Sequence, residues 1–408
     1  MLVRVAHSAE IPRMLENLPR LPDDPILGLA AACKEDTNPD KVDLTLGIYM
    51  DEHGVCPVVD AIKQAERRLL EEEDTKAYMA PAGVAAFNEG IKTLVLGADS
   101  APLAAGRVSS IQAPGGCGAL RIGAEVIHAA APHARVWVSD PTWPVHIPLI
   151  GSVGLGFETY RYYDSATHGV DFEGMVDDLR AAGSGDLVLL HGCCHNPCGA
   201  DLSLEQWGVI ADMAEQQGFT PFIDIAYQGL GDGLEQDAAG LRILTARLPE
   251  VIIAASSSKN MGLYRERTGA TLFVGQTPDS ATALLSQAKV AARRVYSMPP
   301  AHGALLAGMV FSDPALMASW HAELLGMCER INGLRSDLVE KLATVTDRDF
   351  GFIRREKGMF SFLGLSKEQV GVLREQHSVY MLGSSRINVA GVNASNIDYL
   401  AKAIASVL

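Results

Sequence analysis

The stretch ASSSKNMGLYRERTGA (255–270) leaves the apolar run VIIA by way of three serines and a lysine, Lys259, with Arg267 eight residues on. A lysine at the end of a core strand is a poor place for a solvated charge. A dry site, however, can hold its amine as a nucleophile that forms an imine. Serines at a strand end can donate to a phosphate, and an arginine can bind one through paired N–H groups. Upstream, Asp224 lies inside the apolar run PFIDIA (221–226). An unpaired carboxylate there must find a cation or take up a proton. A buried helix cap or an ion pair with a neighbouring helix would satisfy it, and so would a cationic ligand. Tyr227, three residues on, could reach the same ligand.

Three other segments carry residues of this kind. PGGCGAL (114–120) is a glycine-rich turn opening a helix, where backbone can approach an anion and free N–H groups point at it. It does not satisfy G-x-G-x-x-G around Gly116 and Gly118, which disfavours a nicotinamide-dependent dehydrogenase. DPTWPVH sets Trp143 between two prolines, commonly the place of a packed cover residue and a stacking plane only in suitable company. HGCCHNPCG (191–199) holds Asn196 in a turn, where asparagine ordinarily caps its own backbone. The cysteines of that segment lack a separated second ligand pair, so it reads as a tight turn and no metal is expected.

The elements that position these residues follow from hydrophobic patterning. Apolar, β-rich runs at 109–113, 135–139, 157–161, 186–191, 221–226, 251–256 and 270–274 read as strands, most of them buried on both faces. Amphipathic segments such as 118–131 and 204–218 alternate with them, which predicts an α/β fold with a mainly parallel central sheet and helices on both faces. The C-terminal quarter differs. A long helical pattern (317–345) leads to strand-like GMFSFLGL (358–365), a helix (368–377), the strand-like SSRINVAG (384–391) and a last helix, a smaller α+β domain.

The composition suits this reading. At 408 residues the chain is long enough for two domains, and its 48% apolar and 20% charged content is that of a globular protein. A net charge of −15 argues against nucleic acid or an anionic membrane as the main partner. The seven cysteines, Cys33, Cys56, Cys117, Cys193, Cys194, Cys198 and Cys328, are odd in number and scattered, which suits a reducing compartment. No uninterrupted apolar span is long enough for a transmembrane helix. The first residues show no secretory h-region, and Glu10, Pro12 and Glu16 weaken a mitochondrial presequence reading without excluding it, so the cytoplasm is the expected location.

In open parallel sheets, ligands bind beyond the carboxyl ends of the strands. Five of the proposed strands deliver their oddest residues there. Pyridoxal 5'-phosphate requires an imine-forming lysine, a phosphate cradle, a carboxylate for the ring nitrogen, hydrogen bonds to the phenolic oxygen and a plane over the ring. Lys259, the PGGCG turn with Ser256 and Arg267, Asp224, Asn196 with Tyr227, and Trp143 supply these in turn.

Together HGCCHNP, DIAYQG, SSSKNMGLYRERTGA, PPAHGA (299–304) and GMFSF (358–362) make the sequence resemble the class I pyridoxal-phosphate aminotransferases, specifically their aspartate and aromatic amino-acid branch. The resemblance runs nearly end to end, from DPILGLA (24–30) to RINVAG (386–391). It implies fold type I, with an N-terminal arm (1–22), a large cofactor domain (56–324), a small domain from both chain ends (23–55 and 325–408), and a homodimer with shared active sites. By the same resemblance, Lys259 would carry the cofactor and transfer the proton, Asp224 would pair with the ring nitrogen, and Asn196 and Tyr227 would hold the phenolic oxygen under a stacked Trp143. Gly115, Gly116, Cys117, Ser256, Ser258 and Arg267 would seat the phosphate, with Tyr78 reaching in from the neighbouring subunit. Arg386, helped by Asn196, Trp143 and the backbone of Gly47, would bind the substrate α-carboxylate. Arg293 of the neighbouring subunit would take a distal carboxylate, and His146 and His191 would stand behind Asp224.

The chain departs from the aspartate pattern at Cys117, where the glycine turn usually carries a hydroxyl, and at Met298, where asparagine is usual. Met50, Cys56 and Ala77 likewise occupy positions that are commonly polar. These changes predict a more apolar, adaptable pocket and hence broad transamination of dicarboxylic and aromatic amino acids, with 2-oxoglutarate or oxaloacetate as acceptor. The alternatives are a strict aspartate aminotransferase, another pyridoxal reaction such as β-elimination, and a cofactor-binding protein without turnover.

Overall fold

The computed structural model describes residues 15, 18–21 and 25–408. The expected N-terminal arm, and the presequence reading drawn from it, fall almost wholly outside these residues. The central sheet has seven strands: β1 (Val108–Pro114), β2 (Arg135–Asp140), β3 (Gly156–Arg161), β4 (Leu187–His191), β5 (Thr220–Ile225), β6 (Val251–Ser256) and β7 (Thr268–Val274). Their order is β1-β7-β6-β5-β4-β2-β3. β7 runs antiparallel to β1 and β6, and the other neighbouring pairs are parallel.

Side-chain alternation divides each central strand between two cores, as a period of two requires. Ile252 and Ala254 face one layer with Phe222, Leu189 and Val136, while Ile253 and Ala255 face the other with Ile223 and Leu190. Helices cover both layers. Among them are α1 (Gly115–Ala130), α2 (Leu204–Gln217), closed by a Ser203–Gln206 capping box, and α3 (Pro278–Val295). The expected strand over 157–161 is present but is the sheet edge, and most of its side chains face solvent rather than a core.

A third core gathers Val42 and Leu44 with residues from Leu334 to Ile404. It contains two small pairings, Val42–Asp43 parallel to Val379–Tyr380 and Phe360–Phe362 antiparallel to Arg386–Asn388. The strand expected over 358–365 is shorter than its pattern because Gly358 and Gly364 take positive φ on either side of it. Likewise 384–391 supplies only three strand residues before a 3-10 turn. One helix, α4 (Pro314–Ala343), joins the layers: its 30 residues bury Trp320, Leu324 and Ile331 in the large core and Leu338 and Leu342 in the small one.

Arg335 of α4 is buried and donates to the carbonyls of Ile353, Gly358 and Phe360 and to Ser361 Oγ, over 2.7–3.2 Å. The equally buried Glu356 carboxylate stands 3.5 Å away. Arg335→Met would take the cation away from that carboxylate and leave three carbonyls without their arginine donor. A destabilisation of about 3–5 kcal/mol is expected, checked by urea or thermal denaturation.

Candidate active site

Because β1, β2, β4, β5 and β6 are parallel, the residues that follow them collect at one edge of the sheet. β7 begins at that same edge, so Arg267, immediately before it, joins them although its strand runs the other way. A cavity of about 290 Å³ opens there, lined by Gly116, Cys117, Trp143, Asn196, Asp224, Tyr227, Ser256, Ser258, Lys259 and Arg267. Gly47 and Arg386, from the third core, close its other side.

Asp224 is buried near the end of β5. Its Oδ2 is 2.9 Å from His146 Nε2, and Thr142 Oγ1 bonds His146 Nδ1 at 2.8 Å and His191 Nε2 at 3.3 Å. Burial, the largest single influence, would raise the Asp224 carboxyl, but the His146 hydrogen bond together with the electrostatic pull of His146, His191 and Lys259 outweighs it and holds the group below the usual carboxylate range. Burial, with His146 nearby, pushes His191 down to about 3, so its ring is neutral at pH 7. The second carboxylate oxygen, Asp224 Oδ1, is buried with no partner among the described residues.

Lys259 lies three residues past β6, with Nζ 4.8 Å from the centre of the Tyr227 ring. Burial lowers its amine below the ordinary lysine value, while Asp224 and Cys117 pull it back up. The Tyr227 hydroxyl is pushed up by burial and stays protonated. Trp143 meets the His146 ring edge-on at 5.3 Å, so it both covers the histidine and lines the cavity.

The oxyanion side is built from backbone and small hydroxyls. Gly115 has φ +67°, and a Cβ on it would stand 2.4 Å from Arg267 Nη2, so the guanidinium packs against bare backbone. Arg267, itself at φ +53°, donates from Nη1 to the Tyr264 carbonyl at 2.9 Å. Ser256 Oγ donates to Ser258 Oγ at 3.1 Å beside the first turn of α1. Helix N–H groups, two serines and an arginine suit a phosphate.

Arg386 opens the strand Arg386–Asn388. Its Nη2 donates to the Thr45 carbonyl at 2.8 Å, Nη1 to Asn196 Oδ1 at 3.4 Å, and its Cζ lies 4.3 Å over the Phe360 ring. Asn388 Nδ2 donates to the carbonyls of Leu46 and Ile48, which pins the Gly47 segment to the same strand. Arg386 Nε is buried without a partner among the described residues.

Not every expected residue is in the cavity. Gly115 backs Arg267 without lining it. Tyr78 is 95% exposed, and Arg293 is exposed on α3 with Nη1 donating to Ser297 Oγ at 2.5 Å. Met50, Cys56, Ala77 and Met298 do not line the cavity of the single chain either. Conversely, Tyr264 and Phe360 line it and were not singled out from the sequence, although both lie within the quoted motifs. Tyr264 Oη accepts the Tyr49 N–H at 2.8 Å, and a Cβ on Gly47 would stand 2.8 Å from Phe360 Cζ.

A buried unpartnered carboxylate oxygen, a buried amine and a phosphate cradle are the donor and acceptor set that pyridoxal 5'-phosphate requires, and the residues present fit it. The fold and site define a pyridoxal-phosphate aminotransferase. The family model for aminotransferase class I and II matches residues 39–404, and the chain belongs to that family. It is 47% identical over 397 residues to the aromatic-amino-acid aminotransferase of Paracoccus denitrificans, covering 97% of this chain and 100% of the relative. It is 45% identical over 396 residues to the aspartate aminotransferase of Escherichia coli (strain K12), with coverage of 97% and 100%. Among solved structures, the aromatic-amino-acid aminotransferase of Burkholderia pseudomallei, covalently bound to pyridoxal phosphate, superposes with a TM-score of 0.95 at 42% identity, covering 97% of this chain and 100% of that one.

The thiol of Cys117, in the first turn of α1, is a weaker donor to phosphate than the hydroxyl usual there. Cys117→Ser should strengthen cofactor retention by about 1.5 kcal/mol, roughly tenfold. Equilibrium dialysis of the reconstituted apoenzyme measures it.

Proposed function

We propose that the chain transfers amino groups between L-amino acids and 2-oxo acids, accepting both dicarboxylic and aromatic donors, with 2-oxoglutarate or oxaloacetate as acceptor. The observation that carries the reading is a pair of buried polar atoms of opposite character, Asp224 Oδ1 and Arg386 Nε, without partners among the described residues and on side chains lining the cavity that holds the Lys259 amine. One end is made for a cationic ring nitrogen and the other for a carboxylate.

When bound, pyridoxal phosphate supplies the electron sink that makes a substrate Cα–H acidic. The protein's part is to position and to move protons. Asp224, held by His146, keeps its free oxygen for the ring N–H. Ser256, Ser258, Arg267 and the Gly115–Cys117 turn seat the phosphate, while Asn196 and Tyr227 meet the phenolic oxygen. Arg386 orients the α-carboxylate so that Cα faces Lys259 Nζ. The lowered basicity of that amine enlarges its unprotonated fraction, the form that takes the Cα proton and returns it.

The active unit in this reading is a homodimer in the cytoplasm. Tyr78 and Arg293 stand exposed on the single chain, and Val290 and Val295, beside Arg293 on α3, are exposed apolar residues suited to an interface. A partner copy would receive Tyr78 at its phosphate and Arg293 at the distal end of its substrate. Seven unpaired cysteines suit a reducing compartment.

A strict aspartate aminotransferase is favoured by one observation: Met50, Cys56, Ala77 and Met298 are absent from the lining of the single-chain cavity. A panel of donors with 2-oxoglutarate separates the two. Comparable kcat/KM with aspartate and tyrosine is expected, and activity confined to dicarboxylates would defeat the broad reading. Arg293→Leu should lower kcat/KM for aspartate by about 2 kcal/mol, roughly thirtyfold, and spare tyrosine. Lys259→Ala should lose both turnover and the visible absorbance that borohydride bleaches; retained turnover would overturn the mechanism.

A further inference from the structure

Behind the catalytic cavity lies a second one of about 480 Å³, and Cys193 and His191 line both. The turn after β4 places the thiols of Cys193 and Cys194 beside Asp237, from the first turn of the helix Leu234–Arg247. All three residues are buried, and their ligand atoms lie within 4.8 Å of one another. From these observations we infer that Cys193, Cys194 and Asp237 form a binding site for a soft divalent cation of the zinc group.

The Asp237 carboxylate is already aimed. Oδ2 accepts the N–H groups of Gly229 and Gly231 at 2.8 and 2.9 Å, and Oδ1 accepts that of Asp232 at 2.8 Å. Three backbone donors fix the plane of the group and leave acceptor capacity on Oδ1, the outer-shell support that a ligating carboxylate needs. Gly231 keeps the centre open, since a Cβ there would stand 2.6 Å from Asp237 Oδ1 and 3.1 Å from Cys194 Sγ. Two thiolates and one carboxylate suit zinc or cadmium over calcium or magnesium. The second cavity, lined by Cys193 and Asp237, supplies both an entry path and room for a water as fourth ligand. Binding displaces one proton from each thiol to solvent and changes no oxidation state.

In its effect on activity, which rests on the proposed transamination, occupancy acts through the turn itself. Cys194 Sγ lies 4.0 Å from the Tyr227 carbonyl, and Asn196 is two residues further along the same turn. An ion that draws the two sulfurs toward Asp237 displaces the residues that face the cofactor's phenolic oxygen, so metal lowers turnover.

The test uses the holoenzyme and cadmium chloride. Equilibrium dialysis is expected to saturate at one cadmium per chain, with the ultraviolet thiolate-to-cadmium band rising in step and activity falling in step until a chelator restores it. Cys194→Ser should abolish the band and the inhibition together. Cys328→Ser should keep both, because that thiol bonds the Gly231 carbonyl at 3.3 Å from outside the cluster. Absence of saturable binding, or a band and inhibition that survive in Cys194→Ser, would overturn the site. Cadmium NMR of the unaltered protein serves if the variant does not fold: a shift for two sulfur ligands supports the site, and one for fewer refutes it. The band and the shift are read without any transamination assay, so they stand or fall apart from the proposed activity.

Discussion

A negative charge held deep inside the sheet is the constraint on which the arrangement turns. Asp224 sits on β5, the middle strand, largely shielded from solvent, and among the described residues one of its oxygens has no partner. Keeping that charge requires His146 on one side, and His146 in turn is fixed by Thr142, which also reaches the neutral ring of His191 at the end of β4. Three neighbouring strands thus contribute to one carboxylate. The same parallel packing that buries Asp224 sets it level with His191 and Ala254, so that Asn196 and Lys259, five residues beyond each, line the same cavity. The site is therefore a consequence of strand order rather than an addition to it.

The opposite end of the cavity is held by different means. Arg386 is bound to the Thr45 carbonyl and stacked over Phe360, and Asn388 ties down the segment around Gly47. None of these contacts belongs to the large sheet. Because α4 lies partly in each core, the two ends of the cavity are connected through one continuous helix of 30 residues, about 45 Å at the usual rise. Arg335, midway in its small-core half, locks that helix to the strand beneath Arg386.

Much of this could be read from residue order. Strands buried on both faces appear as apolar runs, and two of these runs contain or lead into a charged residue that is costly to bury without a purpose, so the aspartate, the lysine and the arginine of the phosphate seat are legible together. Other features carry no local signal. The reversal of β7 is invisible because a fully buried strand has the same pattern in either direction. The edge position of β3 depends on what fails to pair with it. Arg386 and Gly47 meet only through the fold, and their roles were read from resemblance alone. Tyr264 and Phe360 look like ordinary core aromatics in sequence. The nearness of Asp237 to Cys193 and Cys194 is likewise a product of topology, since no spacing rule links a turn after one strand to a helix after the next.

The pairing of Val42 with Val379, and of Arg386 with Thr45, closes a loop that contains the entire seven-stranded sheet. Contacts between such distant parts of a chain are slow to form, and during synthesis the N-terminal portions emerge first. The lysine end of the cavity can be complete while the last strand is still being made. The carboxylate end must wait for the ribosome to release residues beyond Arg386, so a nascent chain acquires its place for the cofactor before it acquires its place for the substrate.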